Sequence, residues 1–131
     1  MRKLAAAIFV LAVLILPSCR ARSPELRLHF IDVGYGDSIL IESPNGEFAL
    51  IDTGPPATRE KIIGYLEGQG VDGLEYLIVT HSHADHLGNA AAVLDRFGAE
   101  QLRDNGQALD RFDKYLTREL AGEYEREFRG G

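Results

Sequence analysis

The chain has 131 residues and a single cysteine, Cys19, so no disulfide within the chain is possible. It is short of positive charge, with 14 basic residues against 20 acidic ones. A net charge of −6 leaves no broad basic surface of the kind that coats extended nucleic acid. Long apolar runs are also lacking. The longest, Leu4 to Leu16, has thirteen residues, where a membrane-spanning helix needs about twenty. There is no internal repeat or low-complexity tract. The chain is nonetheless no disordered polymer, because 45% of it is hydrophobic and only 26% charged.

The thirteen-residue run follows Arg2-Lys3 and precedes Leu16-Pro17-Ser18-Cys19. A short basic region, an apolar core and small residues before a cleavage point are the parts of an export signal. The last four residues resemble the bacterial lipobox, with Pro17 in a place usually held by a small residue. The expectation is therefore a lipoprotein signal peptide over 1–18, with Cys19 as the lipidated first residue of an exported chain. Such a protein would be anchored to a bacterial membrane on its periplasmic or cell-surface side. The alternative is an ordinary secretion signal with an incidental cysteine. Residues 19–25 read as a tether. Losing Arg2 and Lys3 would leave 12 basic residues against 20 acidic ones, a charge of −8.

From residue 26 onward the pattern is that of a folded α/β domain. Leu26 to Val33 alternates apolar and polar and predicts a strand with Leu26, Leu28 and Phe30 on one face. Gly34-Tyr35-Gly36-Asp37 predicts a turn, and Ser38 to Ser43 a second strand. Pro44-Asn45-Gly46 is a hairpin signal, and Phe48 to Ile51 the returning strand. Thr58 is placed to cap a helix over Arg59–Glu67 with Ile62, Ile63 and Leu66 on one side, ended by Gly68 and Gly70. Leu74 to Thr80 reads as a short buried strand and Asn89 to Phe97 as a helix. A short strand is expected over 100–103, and a helix over Leu109–Phe128 with Phe112, Leu116, Leu120 and Tyr124 in line.

The chemistry is concentrated in His81-Ser82-His83-Ala84-Asp85-His86, which holds three of the four histidines. Imidazole nitrogen and carboxylate oxygen are zinc ligands, and a two-residue spacing lets one turn aim two rings at one ion. His81 and His83 would share one metal, while Asp85 and His86 would reach a second. A strand ahead and a helix behind supply the rigid frame such a loop needs. A solvated polar loop is the bland alternative, and it leaves the concentration of histidine unexplained. Asp52, at the end of the third strand, could accept a hydrogen bond from a ligand imidazole. It could equally be a turn-capping aspartate before Thr53-Gly54. Asp32 and Asp37 read as strand-edge and turn residues, and His29 as a partly buried structural histidine.

The segment from Thr80 to Gly88 resembles the metal motif of the metallo-β-lactamase superfamily. The stretches Phe30 to Ile41, Leu50 to Gly54 and Leu74 to His86 narrow the resemblance to the metallohydrolase domain of ComEC-type competence proteins and their secreted relatives. That family usually has glutamine in the place of Tyr35. The resemblance covers about 26–106. It implies an αβ/βα sandwich binding two zinc ions, with a metal-bound hydroxide attacking an ester, phosphodiester or amide. His81 and His83 match its first metal site, and Asp85 and His86 its second. Asp52 matches the position that supports the histidine loop. The remaining ligands come, in the family, from the second half of the sandwich. The 45 residues after His86 hold no histidine or cysteine, and Asp104 and Asp110 match no ligand position. The expectation is thus that 26–131 is the N-terminal αβ half of the domain. The alternatives are a short form completed by another chain, or a degenerate relative. The implied substrate is a small molecule, nucleotide or other phosphodiester. A β-lactamase or other amide hydrolase is the second reading, and a non-catalytic metal-binding lipoprotein the third.

Overall fold

The computed structural model describes residues 25–109 and 117–129. Export signal, Cys19 and nearly all of the tether lie outside the described residues, as do Asp110, Phe112 and Leu116. No helix among the described residues is long and apolar enough to cross a membrane.

Five strands form one sheet in the order β1-β2-β3-β4-β5: Arg27–Phe30, Ile39–Glu42, Phe48–Ile51, Leu74–Val79 and Ala99–Asp104. The first three pair antiparallel through short turns, while β3, β4 and β5 run parallel. Parallel neighbours need crossovers. These are α1 (Arg59–Gly68), entered through a 3-10 turn at Pro56–Thr58, and the pair α2 (Ala84–Leu87) and α3 (Ala90–Phe97). A last helix, α4 (Arg118–Arg129), follows β5.

Strand register puts one residue of each strand in a row across the sheet: His29, Leu40, Leu50, Leu77 and Leu102. Leu40, Leu50 and Leu77 in this row are fully buried, and they pack with Ile62 and Leu66 of α1 and Val93 and Phe97 of α3. This is the helix-covered face and the main core. Leu120 and Tyr124 of α4 close a second cluster over Val79, Ala84 and Leu87, beneath the histidine segment.

The opposite face carries two further rows, Leu28-Ile41-Ala49-Tyr76-Gln101 and Phe30-Ile39-Ile51-Ile78-Arg103. From β1 to β4 these rows are apolar or aromatic. A sheet apolar on both faces is built for a middle layer, as in the expected sandwich. Leu26, Leu28 and Phe30 do share one face, as their alternation predicts, but it is this one, which no helix among the described residues covers, and Phe30 is 75% exposed. The alternation fixes which residues lie together; it carries no sign for which side the helices take. On β1 the core-facing residue is His29, whose Nδ1 lies 3.0 Å from the Tyr65 hydroxyl, and beyond the strand come buried Ile31 and Val33.

Three local expectations need correcting, the first being the helix over Leu109–Phe128: Leu109 and Thr117 are not helical, and α4 begins at Arg118. Thr58 precedes α1 but does not cap it; its hydroxyl donates back to the Pro55 carbonyl at 2.8 Å, inside the 3-10 turn. The first strand stops at Phe30 rather than Val33. Beyond it the chain turns over Asp32, whose carboxylate accepts from the Gly34 N–H at 3.0 Å and meets Lys61 at 3.2 Å.

Candidate metal centre

Because β3 and β4 are parallel and Ile51 pairs with Ile78, both strands release their chains at the same edge of the sheet. Functional groups in open α/β sheets gather at these carboxyl ends. Asp52 leaves β3 there, and Thr80-His81 leaves β4. Asp52 takes φ +56°, a left-handed conformation that non-glycine residues rarely adopt and that aspartate tolerates better than most. This turn in the backbone brings its carboxylate, almost fully buried, beneath the histidine segment.

The segment 52–55 is tied to the histidine segment and the β1–β2 turn at every residue. Asp52 Oδ1 accepts from the Thr80 N–H at 2.8 Å, and Oδ2 from the Thr80 hydroxyl at 2.6 Å. Thr53 donates from both N and Oγ1 to the His86 carbonyl, at 2.6 and 3.0 Å. Gly54 N–H donates to the Asp37 carbonyl at 2.9 Å. The Asn89 amide donates to the carbonyls of Thr53 and Pro55 at 2.7 and 2.8 Å. Asn89 is fully buried, and its bond to the Thr53 carbonyl is shielded from water.

These contacts select the tautomer that each of two imidazoles takes when neutral. An ionised carboxylate only accepts, so His86 must donate its Nδ1–H to Asp52 Oδ2, 2.9 Å away. Its Nε2 is left with a free lone pair, 3.6 Å from Asp85 Oδ2. The Thr80 hydroxyl spends its proton on Asp52, so it accepts from His81 Nδ1 at 3.0 Å. His81 Nε2 is likewise left as a lone pair. Asp52 thus orients His86 directly and His81 through Thr80.

The three rings are close: centroids lie 3.8 Å apart for His81 and His86, and 4.7 Å for His81 and His83. The His81 pKa is held below its ordinary value of 6.5, first by burial, then by the neighbouring His86 and His83. A neutral imidazole is the form that binds metal. Asp85 and His86 do not lie in an open loop but on the one-turn helix α2, preceded by extended His83. His81, His83, Asp85 and His86 supply nitrogen and oxygen donors of the types zinc takes, but among the described residues the donor atoms gathered within 4.8 Å of one another are those of Asp37, Asp52 and His86.

Asp37, read from the sequence as a turn residue, comes closer to the site than expected: its Oδ2 is 3.8 Å from His86 Nδ1. Donor atoms of Asp37, Asp52 and His86 all lie within 4.8 Å of one another and form a possible metal site. An ion there would have to displace the Asp52–His86 hydrogen bond. The Asp52 carboxylate, already committed to Thr80, is better matched to orienting than to ligating. No sequence signal singled out Asp37, because its approach depends on the Gly54–Asp37 backbone bond between loops 17 residues apart. His29 and Asp104 lie elsewhere: His29 is under α1, and Asp104 Oδ2 accepts from the Tyr124 hydroxyl at 2.6 Å.

Comparison with known proteins agrees with this architecture. The chain is 38% identical over 78 residues to Metallo-beta-lactamase domain-containing protein 1 of Homo sapiens, covering 58% of this chain and 29% of that one. A UPF0173 metal-dependent hydrolase of Thermodesulfovibrio yellowstonii is 29% identical over 128 residues, 94% of this chain and 45% of the relative. ComE operon protein 3 of Bacillus subtilis is 32% identical over 97 residues, 61% of this chain and 12% of the relative. The chain therefore spans less than half the length of these curated relatives. Among solved structures, a HARLDQ-motif mutant of the metallo-β-lactamase from Cronobacter sakazakii superposes with a TM-score of 0.51 at 26% identity. It covers 57% of this chain and 30% of that one. A family profile described as Metallo-beta-lactamase superfamily matches residues 31–126, and the chain belongs to that superfamily of metal-dependent hydrolases.

Proposed function

We propose that the chain carries the metal-binding part of a zinc hydrolase acting on a phosphodiester or related ester. The observation that carries this reading is the Asp52 carboxylate, which turns Nε2 of His86 toward Asp85 Oδ2, 3.6 Å away, and through Thr80 leaves Nε2 of His81 as an acceptor. His81 and His83 would hold one zinc, and Asp85 and His86 a second. Four donors serve one catalytic zinc fully or two incompletely, since each takes about three protein ligands. Zinc held there would supply Lewis acidity to polarise the scissile group and to activate a water near neutral pH.

The chain's own residues do the rest. Asp52 and Thr80 fix the two tautomers, and the buried Asn89 locks segment 52–55 against the helix that bears Asp85. Apolar packing of Leu120 and Tyr124 over Ala84 and Leu87 holds α2 from the other side. Preference for a phosphoester rests on the resemblance of Phe30–Ile41 and Leu74–His86 to ComEC-type domains, with 32% identity to ComE operon protein 3 beside it. The solved relatives called metallo-β-lactamases favour a second reading, an amide hydrolase with the same four ligands.

Metal analysis after zinc loading, combined with turnover of bis(4-nitrophenyl) phosphate and of a chromogenic cephalosporin, tests both. Zinc uptake with phosphodiester cleavage supports the first reading, and β-lactam cleavage alone supports the second. Stoichiometric zinc with neither activity supports a metal-binding protein. A chain that takes up no zinc removes all three. We further propose export and lipid anchoring through Cys19. Labelling with a palmitate analogue in a bacterial host, lost in Cys19→Ser, is the expected result; unlabelled, freely secreted protein would overturn it.

A further inference from the structure

Beside the histidine segment lies a cavity of about 450 Å³ lined by Tyr35, Pro55, Pro56, Ala57, Ala84 and Asp85. That size is ordinary for a small-molecule pocket. Five of its six lining residues are aromatic, prolyl or alanyl, and no basic residue is among them. The one charged residue is Asp85, whose carboxylate lies 3.6 Å from His86 Nε2. Any group seated in the cavity is therefore next to the proposed metal ligands.

The walls are fixed. Tyr35 sits between Gly34 and Gly36, both with positive φ (+78° and +87°), and its N–H donates to the Val33 carbonyl at 3.1 Å. A β-carbon at Gly36 would overlap the Asp85 carbonyl, so the turn is pressed directly against α2. On the other side the Pro55 carbonyl accepts from Asn89 Nδ2 and from both the N–H and the hydroxyl of Thr58. Tyr35 itself is 72% exposed, an apolar ring held in water by a rigid turn. A large ring so presented gains by stacking against another flat surface.

We propose that this cavity is the seat for a flat, uncharged ring on the substrate, stacked against Tyr35, with the ester itself lying toward His81 and His86. The cavity walls are mostly apolar and carry no cation to hold an anion, so the charged phosphoryl part faces the metal and the ring enters the pocket. This rests on the hydrolase reading and narrows it to aryl or heterocyclic esters over simple alkyl ones.

The test uses the zinc-loaded chain and two non-hydrolysable probes, phenylphosphonate and methylphosphonate, followed through the methyl resonances of Ala57 and Ala84. The phenyl probe is expected to shift both methyls and to bind about tenfold more tightly than the methyl probe. Tyr35→Ala should erase that preference with zinc content unchanged, and Tyr35→Phe should keep it. Equal affinity for the two probes, or no shift at Ala57 and Ala84, would overturn the pocket. Zinc content, measured on the same samples, separates the two ideas: ring-dependent shifts in a chain that takes no zinc would sink the hydrolase and leave the pocket standing.

Discussion

Asp52 and His86 are 34 residues apart in sequence, yet the carboxylate Oδ2 of one lies 2.9 Å from the imidazole Nδ1 of the other. The pair joins the end of β3 to the helix α2, and it decides which nitrogen of His86 is free. Asp52→Asn tests that role. Asparagine tolerates the φ of +56° nearly as well as aspartate, so the fold should survive. It cannot, however, accept at both terminal atoms from Thr80 and His86. Zinc affinity, measured by chelator competition, should fall about 10- to 100-fold. An unchanged affinity would mean that Asp52 is only a turn residue.

The second link in the relay is testable by pH. In the metal-free chain, His81 binds its proton below the ordinary 6.5, because burial and its two neighbouring imidazoles oppose the charge. The unfolded chain protonates first as pH falls. The contribution to stability is therefore complete above about 6.5 and is lost as pH drops through the folded value. Denaturant midpoints should decline between pH 7.5 and 5 in the wild type, and decline less in His81→Gln. Thr80→Val removes the hydroxyl between Asp52 and His81 and should weaken zinc binding while leaving His83 in place.

Much of this was legible in the sequence, for reasons specific to each element. The strands and the Asn45-Gly46 turn follow from two-residue alternation and turn chemistry, and the observed hairpin closes where expected. The histidine segment is local, so its spacing alone brought the three rings together. Which face of the sheet the helices cover is a different kind of fact. Leu26, Leu28 and Phe30 look like core by pattern, and only the packing of α1 under His29 places them outside. Asp37 was missed for the same reason: its position depends on a backbone bond to Gly54, and no local pattern encodes that contact.

The uncovered face gives a prediction of its own. Leu28 and Phe30 head the two apolar rows and are 54% and 75% exposed. Large exposed apolar patches promote association. Leu28→Lys with Phe30→Lys should lower self-association, read by light scattering, and leave the melting temperature within a few degrees, since neither side chain belongs to the core. A large loss of stability would show that this face is buried in solution.

Gly36 bears on the site from above. Any β-carbon there would meet the Asp85 carbonyl, and φ +87° is strained for every L side chain. Gly36→Ala must therefore lift the 34–37 turn away from α2 or shift α2 itself. Gly46 has a similar φ of +84° but open space around it. Gly46→Ala should lose of order 1 kcal/mol from φ alone, and Gly36→Ala more, because its β-carbon also meets backbone. Only Gly36→Ala should also lower zinc affinity. Equal zinc affinity in the two variants would show that the turn does not brace Asp85.

Asn89 separates the architecture of the site from its chemistry. Its side chain touches no metal ligand, yet its amide satisfies the carbonyls of Thr53 and Pro55, and its backbone N–H donates to Thr53 Oγ1 at 3.0 Å. Asn89→Ala leaves the buried Thr53 carbonyl without its amide donor, while the Pro55 carbonyl keeps both donors of Thr58. The cost is about 1–3 kcal/mol by denaturant unfolding, the penalty of stranding one buried acceptor. Asn89→Asp should do no better, because a carboxylate placed against two carbonyl oxygens is repelled by both. Zinc binding should restore part of the loss in both variants, since the ion holds His81, His83 and His86 together independently of segment 52–55. A variant as stable as the wild type without metal would mean that segment 52–55 is held by Asp52 and Thr53 alone.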